Sequence, residues 1–196
     1  MTGGVQKDVV LNIRNSIGDL NFKDKAFLLF GVTGSGKTEV YIDAVSDCIE
    51  KGKTALILVP EISLTYQIVA RFYKKFPKRI AVLHSGLTPG QRFDQWQLIK
   101  SGRFEIVIGS RSAVFAPMPN LGLIVLDEEH EWTYKQSDSA PHYHTREVAL
   151  KIAQLRKATV VLGSASPSMI TYKNALDGKY KLLKLNKRVK DLNTIL

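Results

Sequence analysis

Two hydrophobic rhythms alternate along the chain. Short apolar runs fall at residues 26–30, 54–59, 80–83, 104–108, 121–126 and 159–162. Between them, apolar residues recur every three to four positions: Tyr41, Ala44, Val45, Cys48 and Ile49, then Leu64, Ile68, Val69, Phe72 and Phe76. The first rhythm suits strands covered on both faces, and the second suits amphipathic helices. Such strands separated by helices predict an α/β fold: a mostly parallel β-sheet with helices on both faces and ligands at the carboxyl ends of its strands. A lead-in helix is expected first, because Val5, Val9, Val10, Ile13 and Ile17 share one face and Gly18 is a natural stop. Residues 1–22 therefore read as a lead-in and 23–186 as one α/β unit without internal repeats.

The segment between the first strand and its helix changes the picture from fold to chemistry. Gly31-Val32-Thr33-Gly34-Ser35-Gly36-Lys37-Thr38 fits the phosphate-binding loop G-x-x-x-x-G-K-[ST], in the strand-to-helix context that the loop requires. Its glycines let successive N–H groups turn toward phosphate oxygens, and the helix start adds unpaired N–H groups and a positive dipole end. Lys37 can then reach the β- and γ-phosphates, and the Thr38 hydroxyl can ligate Mg²⁺. A second polar group follows the most apolar strand: Asp127-Glu128-Glu129-His130 after 121–126. A carboxylate there is a Walker B arrangement, with Asp127 on the magnesium and Glu128 placed to deprotonate an attacking water.

Composition adds a partner class. The 196 residues carry 28 Lys and Arg against 18 Asp and Glu, a formal net charge of +10, so a polyanion, nucleic acid first, is the expected partner. A solvated basic surface is the plain alternative. No apolar run has bilayer length and no signal peptide is visible at the start, so the expected home is the cytoplasm, away from any membrane. Cys48, the single cysteine, lies on the apolar stripe of its helix and reads as packing.

Taken together, these blocks resemble the superfamily-two helicases with a D-E-x-H box, and within them the PriA family of replication-restart (primosomal) helicases. The resemblance rests on residues 31–41, Leu58-Val59-Pro60-Glu61-Ile62-Ser63-Leu64-Thr65 with Gln67, and His84-Ser85-Gly86-Leu87. It continues through Gly109-Ser110-Arg111-Ser112-Ala113-Val114-Phe115-Ala116-Pro117, Tyr134-Lys135-Gln136, Tyr143-His144 with Arg146, and Gly163-Ser164-Ala165-Ser166-Pro167-Ser168. Ser166 stands where that family usually has threonine. The resemblance implies a RecA-like P-loop lobe of an ATP-dependent 3′-to-5′ DNA helicase acting in replication restart and primosome assembly. It implies ATP and Mg²⁺ as cofactors and an adenine-reading Gln6. The ATP-binding set is Gln6, Gly31, Thr33, Gly34, Ser35, Gly36, Lys37, Thr38 and Glu39. It further implies forked or single-stranded DNA as partner, with primosome and single-strand-binding proteins.

Ser63 and Thr65 at a strand-to-helix junction, and Arg111 after its own strand, can offer hydroxyls, N–H groups and charge to nucleic-acid phosphates; for Ser63 a plain helix cap is the alternative. Residues 130–146 gather Trp132, Tyr134, His142, Tyr143 and His144 in a polar setting. Trp132, Tyr134 and Tyr143 are the expected base-stacking rings, with tucking into a satellite core as the alternative for each. Zinc is not expected in this segment. The blocks of a second lobe, its arginine finger and a zinc-binding cysteine cluster have no counterpart here, and 187–196 resembles the start of the family's linker. The expectation is a first ATPase lobe of a larger protein, slow in hydrolysis alone. The non-enzyme alternative is a nucleic-acid-binding or interaction module with a non-hydrolysing nucleotide site.

Overall fold

The computed structural model describes residues 4–19, 25–61, 66–138 and 140–185. Seven strands form one sheet in the order β3-β4-β2-β5-β8-β1-β9. They are β1 (Ala26–Gly31), β2 (Thr54–Leu58), β3 (Ile80–Leu83), β4 (Ile106–Gly109), β5 (Leu121–Leu126), β8 (Thr159–Ser164) and β9 (Lys181–Leu185). Every neighbouring pair is parallel. The α/β parallel-sheet expectation holds, and all six strands read from the sequence are present. β4 is shifted to 106–109, with Glu105 O just ahead of it accepting the Ala55 N–H of β2 at 2.9 Å.

Alternate strand residues face opposite layers, which explains why the strands are apolar along their length. On one face Phe27, Leu29, Ile57, Val125 and Val161 pack under helices α1 (Gly4–Ser16), α2 (Lys37–Glu50) and α3 (Tyr66–Lys75). On the other, Leu28, Leu56, Ile124, Leu126 and Leu162 pack under α4 (Pro89–Lys100), α5 (Thr145–Arg156) and α6 (Met169–Leu176). Each fully buried Leu or Ile contributes about 1.5–3 kcal/mol relative to exposure, so the sheet is the chief source of cohesion. Local rules fix the helix starts: Thr88 and Gln91 form a reciprocal capping box with Pro89 in the first turn of α4. The lead-in helix lies where its periodicity placed it, with Val9, Ile13 and Ile17 in the core.

Two features are not visible in the hydrophobic pattern. β9 mixes two lysines, Lys181 and Lys184, with three leucines and pairs with β1 as an edge strand. A two-residue antiparallel pair, β6 (Lys135–Gln136) and β7 (Tyr143–His144), gives the aromatic segment a hairpin base. The stretch 187–196 lies outside the described residues. Among the described residues no helix is long and apolar enough to cross a membrane.

Candidate active site

β1, β5 and β8 lie side by side with β8 in the middle, so three turns meet at one edge of the sheet. The loop after β1 curls through Gly34 (φ 80) and Gly36 (φ 89), backbone conformations that side chains rarely adopt. Ser35 N–H donates to Val32 O at 3.0 Å, closing the turn. Gly36 caps α2 without a side-chain bond, so no side chain competes with an anion for the first N–H groups of the helix. Lys37 is buried; its Nζ donates to Gly31 O at 2.9 Å and stands 3.5 Å from Glu128 Oε1. Among the described residues Ser35 Oγ is buried with no hydrogen-bond partner.

A cavity of ≈ 670 Å³ opens over this loop, lined by Thr33, Gly34, Gly36, Lys37, Thr38 and Glu39 on one side and Asp127 and Glu128 on the other. That volume is in the range of small-molecule sites, about 300–1,000 Å³. Glu39 is exposed at the rim and pairs with Arg71 of α3 at 3.2 Å; Arg71, which also lines the cavity, carries no local signal in the sequence. Gln6 donates its side-chain amide to Ser35 O at 3.2 Å, behind the loop, and lines a separate cavity of ≈ 150 Å³.

Asp127 is buried, and burial raises its pKa, opposed by the hydrogen bond from Tyr41. Tyr41 stands one turn after Lys37 on α2 and donates its hydroxyl to Asp127 Oδ1 at 2.8 Å. The sequence rhythm marked Tyr41 only as core; burial of its ring is correct, but its hydroxyl also holds the Asp127 carboxylate. Gly163 makes room for that contact, since a Cβ there would lie 1.7 Å from the Tyr41 hydroxyl. Thr38 and Asp127, like Thr33, Glu39 and Glu128, line the cavity with side-chain oxygens, and a hydroxyl with a carboxylate is the kind of hard donor that a divalent cation bound to phosphates takes. His130 links the carboxylate turn to the turn after β8: Nδ1 is 2.8 Å from Ser164 Oγ, and Nε2 is 3.3 Å from Ser166 Oγ.

The expected nucleic-acid residues divide. Ser63 and Thr65 lie outside the described residues. Trp132 is 80% exposed, beside a cleft of ≈ 370 Å³ that Arg92, Ser110 and Arg111 also line. Arg92, in the first turn of α4, escaped the sequence reading. Arg111 donates from Nη1 to Thr133 O (3.4 Å) and Lys135 O (3.1 Å), bracing the aromatic segment. Tyr134 corrects the expectation of a stacking ring. It is wholly buried and donates its hydroxyl to Asp127 O at 2.8 Å, because a ring next to the sheet gains more from the core than from water. Tyr143 is half-buried, edge-to-face against Phe115 at 5.1 Å.

Comparison with known proteins gives this arrangement its relatives. The chain is 52% identical over 165 residues to the replication restart protein PriA of Bacillus subtilis (strain 168), covering 84% of this chain and 20% of that protein. It is 46% identical over 183 residues to the PriA of Chlamydia trachomatis, covering 93% of this chain and 24% of that protein. The chain thus spans about a fifth to a quarter of these relatives' length. Among solved structures, RecG bound to a three-way DNA junction superposes with TM-score 0.67 at 24% identity, over 95% of this chain and 24% of that one. A DEAD box protein from Methanococcus jannaschii gives 0.64 at 19%, over 92% and 49%. These two share its RecA-like fold. The model of the DEAD/DEAH box helicase family matches residues 5–175, with the phosphate loop and the Asp127–His130 box inside the match, and the chain belongs to that family.

Proposed function

We propose that the chain is the ATP-binding lobe of an ATP-dependent 3′-to-5′ DNA helicase that acts in the restart of stalled replication forks. The observation that carries this reading is the approach of Lys37 to Glu128 across one cavity, with Thr38 and Asp127 on its walls. The relatives named replication restart protein PriA supply the biological setting.

In this reading Gly34, Gly36 and Lys37 bind the triphosphate, and Thr38 and Asp127 hold a magnesium ion. When bound, that ion neutralises charge on the phosphates. Glu128 accepts the proton of the attacking water, and Lys37 keeps the carboxylate near the reacting phosphate. Gln6 and Glu39 complete the nucleotide contacts, Gln6 from behind the loop toward adenine. Forked or single-stranded DNA lies along Ser63, Thr65, Arg92 and Arg111, with a base stacked on Trp132; Tyr143 contributes the edge of its ring. Primosome and single-strand-binding proteins are the proposed partners, zinc belongs to other parts of such proteins, and the protein works in the cytoplasm. Residues 23–186 form the lobe and 187–196 lead toward a second one.

Arg146 is committed to Glu129, so a second lobe is the proposed source of the arginine finger. Such a finger contributes about 10³–10⁵ in rate, so the chain alone should turn over slowly. The test is single-turnover hydrolysis of Mg-ATP by the chain beside its Glu128→Gln variant, with binding of a fluorescent ATP analogue. Expected is unchanged binding with turnover lowered by about a hundredfold or more. Equal turnover in the two proteins would remove Glu128 as the base.

A further inference from the structure

Glu128 stands at φ 46, in the left-handed region that residues with side chains rarely occupy. Such strain persists only where the surroundings over-determine it. Here both flanking residues are pinned. Asp127 N–H donates to Leu58 O (2.9 Å), and Asp127 O accepts from the Tyr134 hydroxyl (2.8 Å). On the far side Glu129 N–H donates to Gly163 O (3.0 Å), and Glu131 N–H closes the turn onto Glu128 O (2.9 Å).

The upstream pins belong to the sheet and to a packed ring; downstream, the backbone bonds to Gly163 O of β8 and to Glu128 O are joined by a side-chain anchor at Glu129. Glu129 is fully buried, although it lines no wall of the nucleotide cavity. Its Oε1 accepts Ser168 N–H at 2.7 Å. Its Oε2 accepts Arg146 Nη1 at 3.0 Å, the Thr171 hydroxyl at 2.8 Å and the Ser168 hydroxyl at 3.2 Å. One carboxylate thereby ties the turn after β5 to the first turn of α5 and to the start of α6. Burying a carboxylate and a guanidinium is unfavourable without this full set of partners, and it is weak evidence for stability as such. A role in geometry accounts for the placement better.

We infer that Glu129 is a positioning residue: anchored by Arg146, Ser168 and Thr171, it holds Glu128 in its left-handed turn and so aims the Glu128 carboxylate at Lys37 and the reacting phosphate. The inference rests on Glu128 as the proposed base. It also gives the hairpin a path to the base, since Arg146 follows β7 by two residues and a shift of the hairpin acts on Glu129 through Arg146.

The test uses the 196-residue chain with Glu129→Gln, and with Glu129→Gln combined with Arg146→Met, which removes both charges if the single variant folds poorly. Three quantities are read: hydrogen exchange of the Glu129 and Glu131 amides with the sheet-held Asp127 amide as reference, affinity for a fluorescent ATP analogue, and turnover. In both variants exchange at Glu129 and Glu131 should rise about tenfold or more while Asp127 and β5 stay protected. Nucleotide affinity should stay within about twofold, and turnover should fall about tenfold or more. The double variant should recover the thermal midpoint without recovering turnover, which a merely structural role would not produce. Unchanged exchange at the Glu129 and Glu131 amides, or turnover restored together with the midpoint, overturns the inference. Loss of the Glu128 reading is recognised separately, by Glu128→Gln leaving turnover intact, and the exchange measurement still decides whether Glu129 holds the turn.

Discussion

The loop after β1 and the turn after β5 leave the same edge of the sheet, with β8 between them, and hold their shapes by different means. In the first, backbone and glycine dominate: Gly34 and Gly36 set the curl, with Lys37 bonded to Gly31 O and Gln6 to Ser35 O. In the second, Glu128 occupies a conformation that a glycine would take without cost. Contacts from Tyr41, Tyr134, Arg146, Ser168 and Thr171 to its neighbours Asp127 and Glu129 keep it there. A loop whose proposed task is to bind phosphate through its own N–H groups needs few partners elsewhere in the chain. A turn that must aim one carboxylate recruits them from the whole domain.

The largest effect that sharpens this contrast is expected at Lys37. Its amine contributes charge-assisted bonds worth about 1.5–3 kcal/mol each, so Lys37→Ala should weaken Mg-ATP binding by about tenfold to a hundredfold. The fold should survive. Titration of a fluorescent ATP analogue beside a thermal melt checks both halves. Undiminished affinity would mean that the loop alone binds the phosphates.

Next in size is the Tyr41–Asp127 contact. Tyr41→Phe keeps the ring and deletes the donor, leaving a buried carboxylate oxygen one partner short at a cost of about 1–3 kcal/mol. The Mg²⁺ concentration that half-saturates nucleotide binding should rise several-fold, with little change in magnesium-free affinity. Gly163→Ala attacks the same contact from the other side, because the added methyl overlaps the tyrosine hydroxyl; about 1–3 kcal/mol of stability should be lost. If Tyr41→Phe leaves the magnesium dependence unmoved, the hydroxyl is only a packing detail.

This difference also decides what could be read from the sequence. The phosphate loop is eight consecutive residues between a strand and a helix, and its chemistry is local. The strands and α1 were legible because a core covered on both faces writes its period into the chain. Glu129 and Arg146 are 17 residues apart and Glu129 and Thr171 are 42 apart, so no spacing rule joins them. Tyr134 and Trp132 stand two residues apart in one polar stretch, yet one is 0% and the other 80% exposed. Composition cannot say which ring the sheet takes and which it leaves out. β9 stayed hidden because Lys181 and Lys184, set among its leucines, break the apolar run that marks the other strands.

That pair of rings offers a smaller, sharper test. Trp132→Ala should weaken binding of single-stranded DNA by about 1–3 kcal/mol, the usual worth of one stacked base, with no loss of thermal stability. Tyr134→Phe should do the reverse: it removes the hydroxyl from Asp127 O, lowers the midpoint and leaves DNA affinity unchanged. Fluorescence anisotropy at fixed salt, needed because phosphate contacts are salt-sensitive, separates the two. Equal effects on DNA would return Tyr134 to the stacking surface.

The smallest expected effect lies at the foot of α5, where the Arg146 anchor begins. His144 Nδ1 accepts the Arg146 N–H at 3.2 Å and so caps the helix in its neutral form. Burial and the nearby Arg146 guanidinium hold its pKa below the ordinary 6.5, against weaker opposing pulls from Glu147 and Glu129. The folded state therefore takes up the proton less readily than the unfolded chain. Well above pH 6.5 both states are neutral and the cap contributes in full. As pH falls through 6.5 toward the lower folded value, the unfolded chain gains the proton first and stability is lost. His144→Asn supplies a cap that does not titrate, with a side-chain oxygen worth about 1 kcal/mol in such positions. Urea unfolding on both sides of that pH should show a steeper loss on acidification for the wild-type chain than for His144→Asn. The other carboxylates and histidines titrate alike in both proteins and cancel in the comparison. Parallel pH profiles would show that the imidazole is no part of the helix cap in solution, and that the Arg146 end of the Glu129 anchor is set by the hairpin backbone alone.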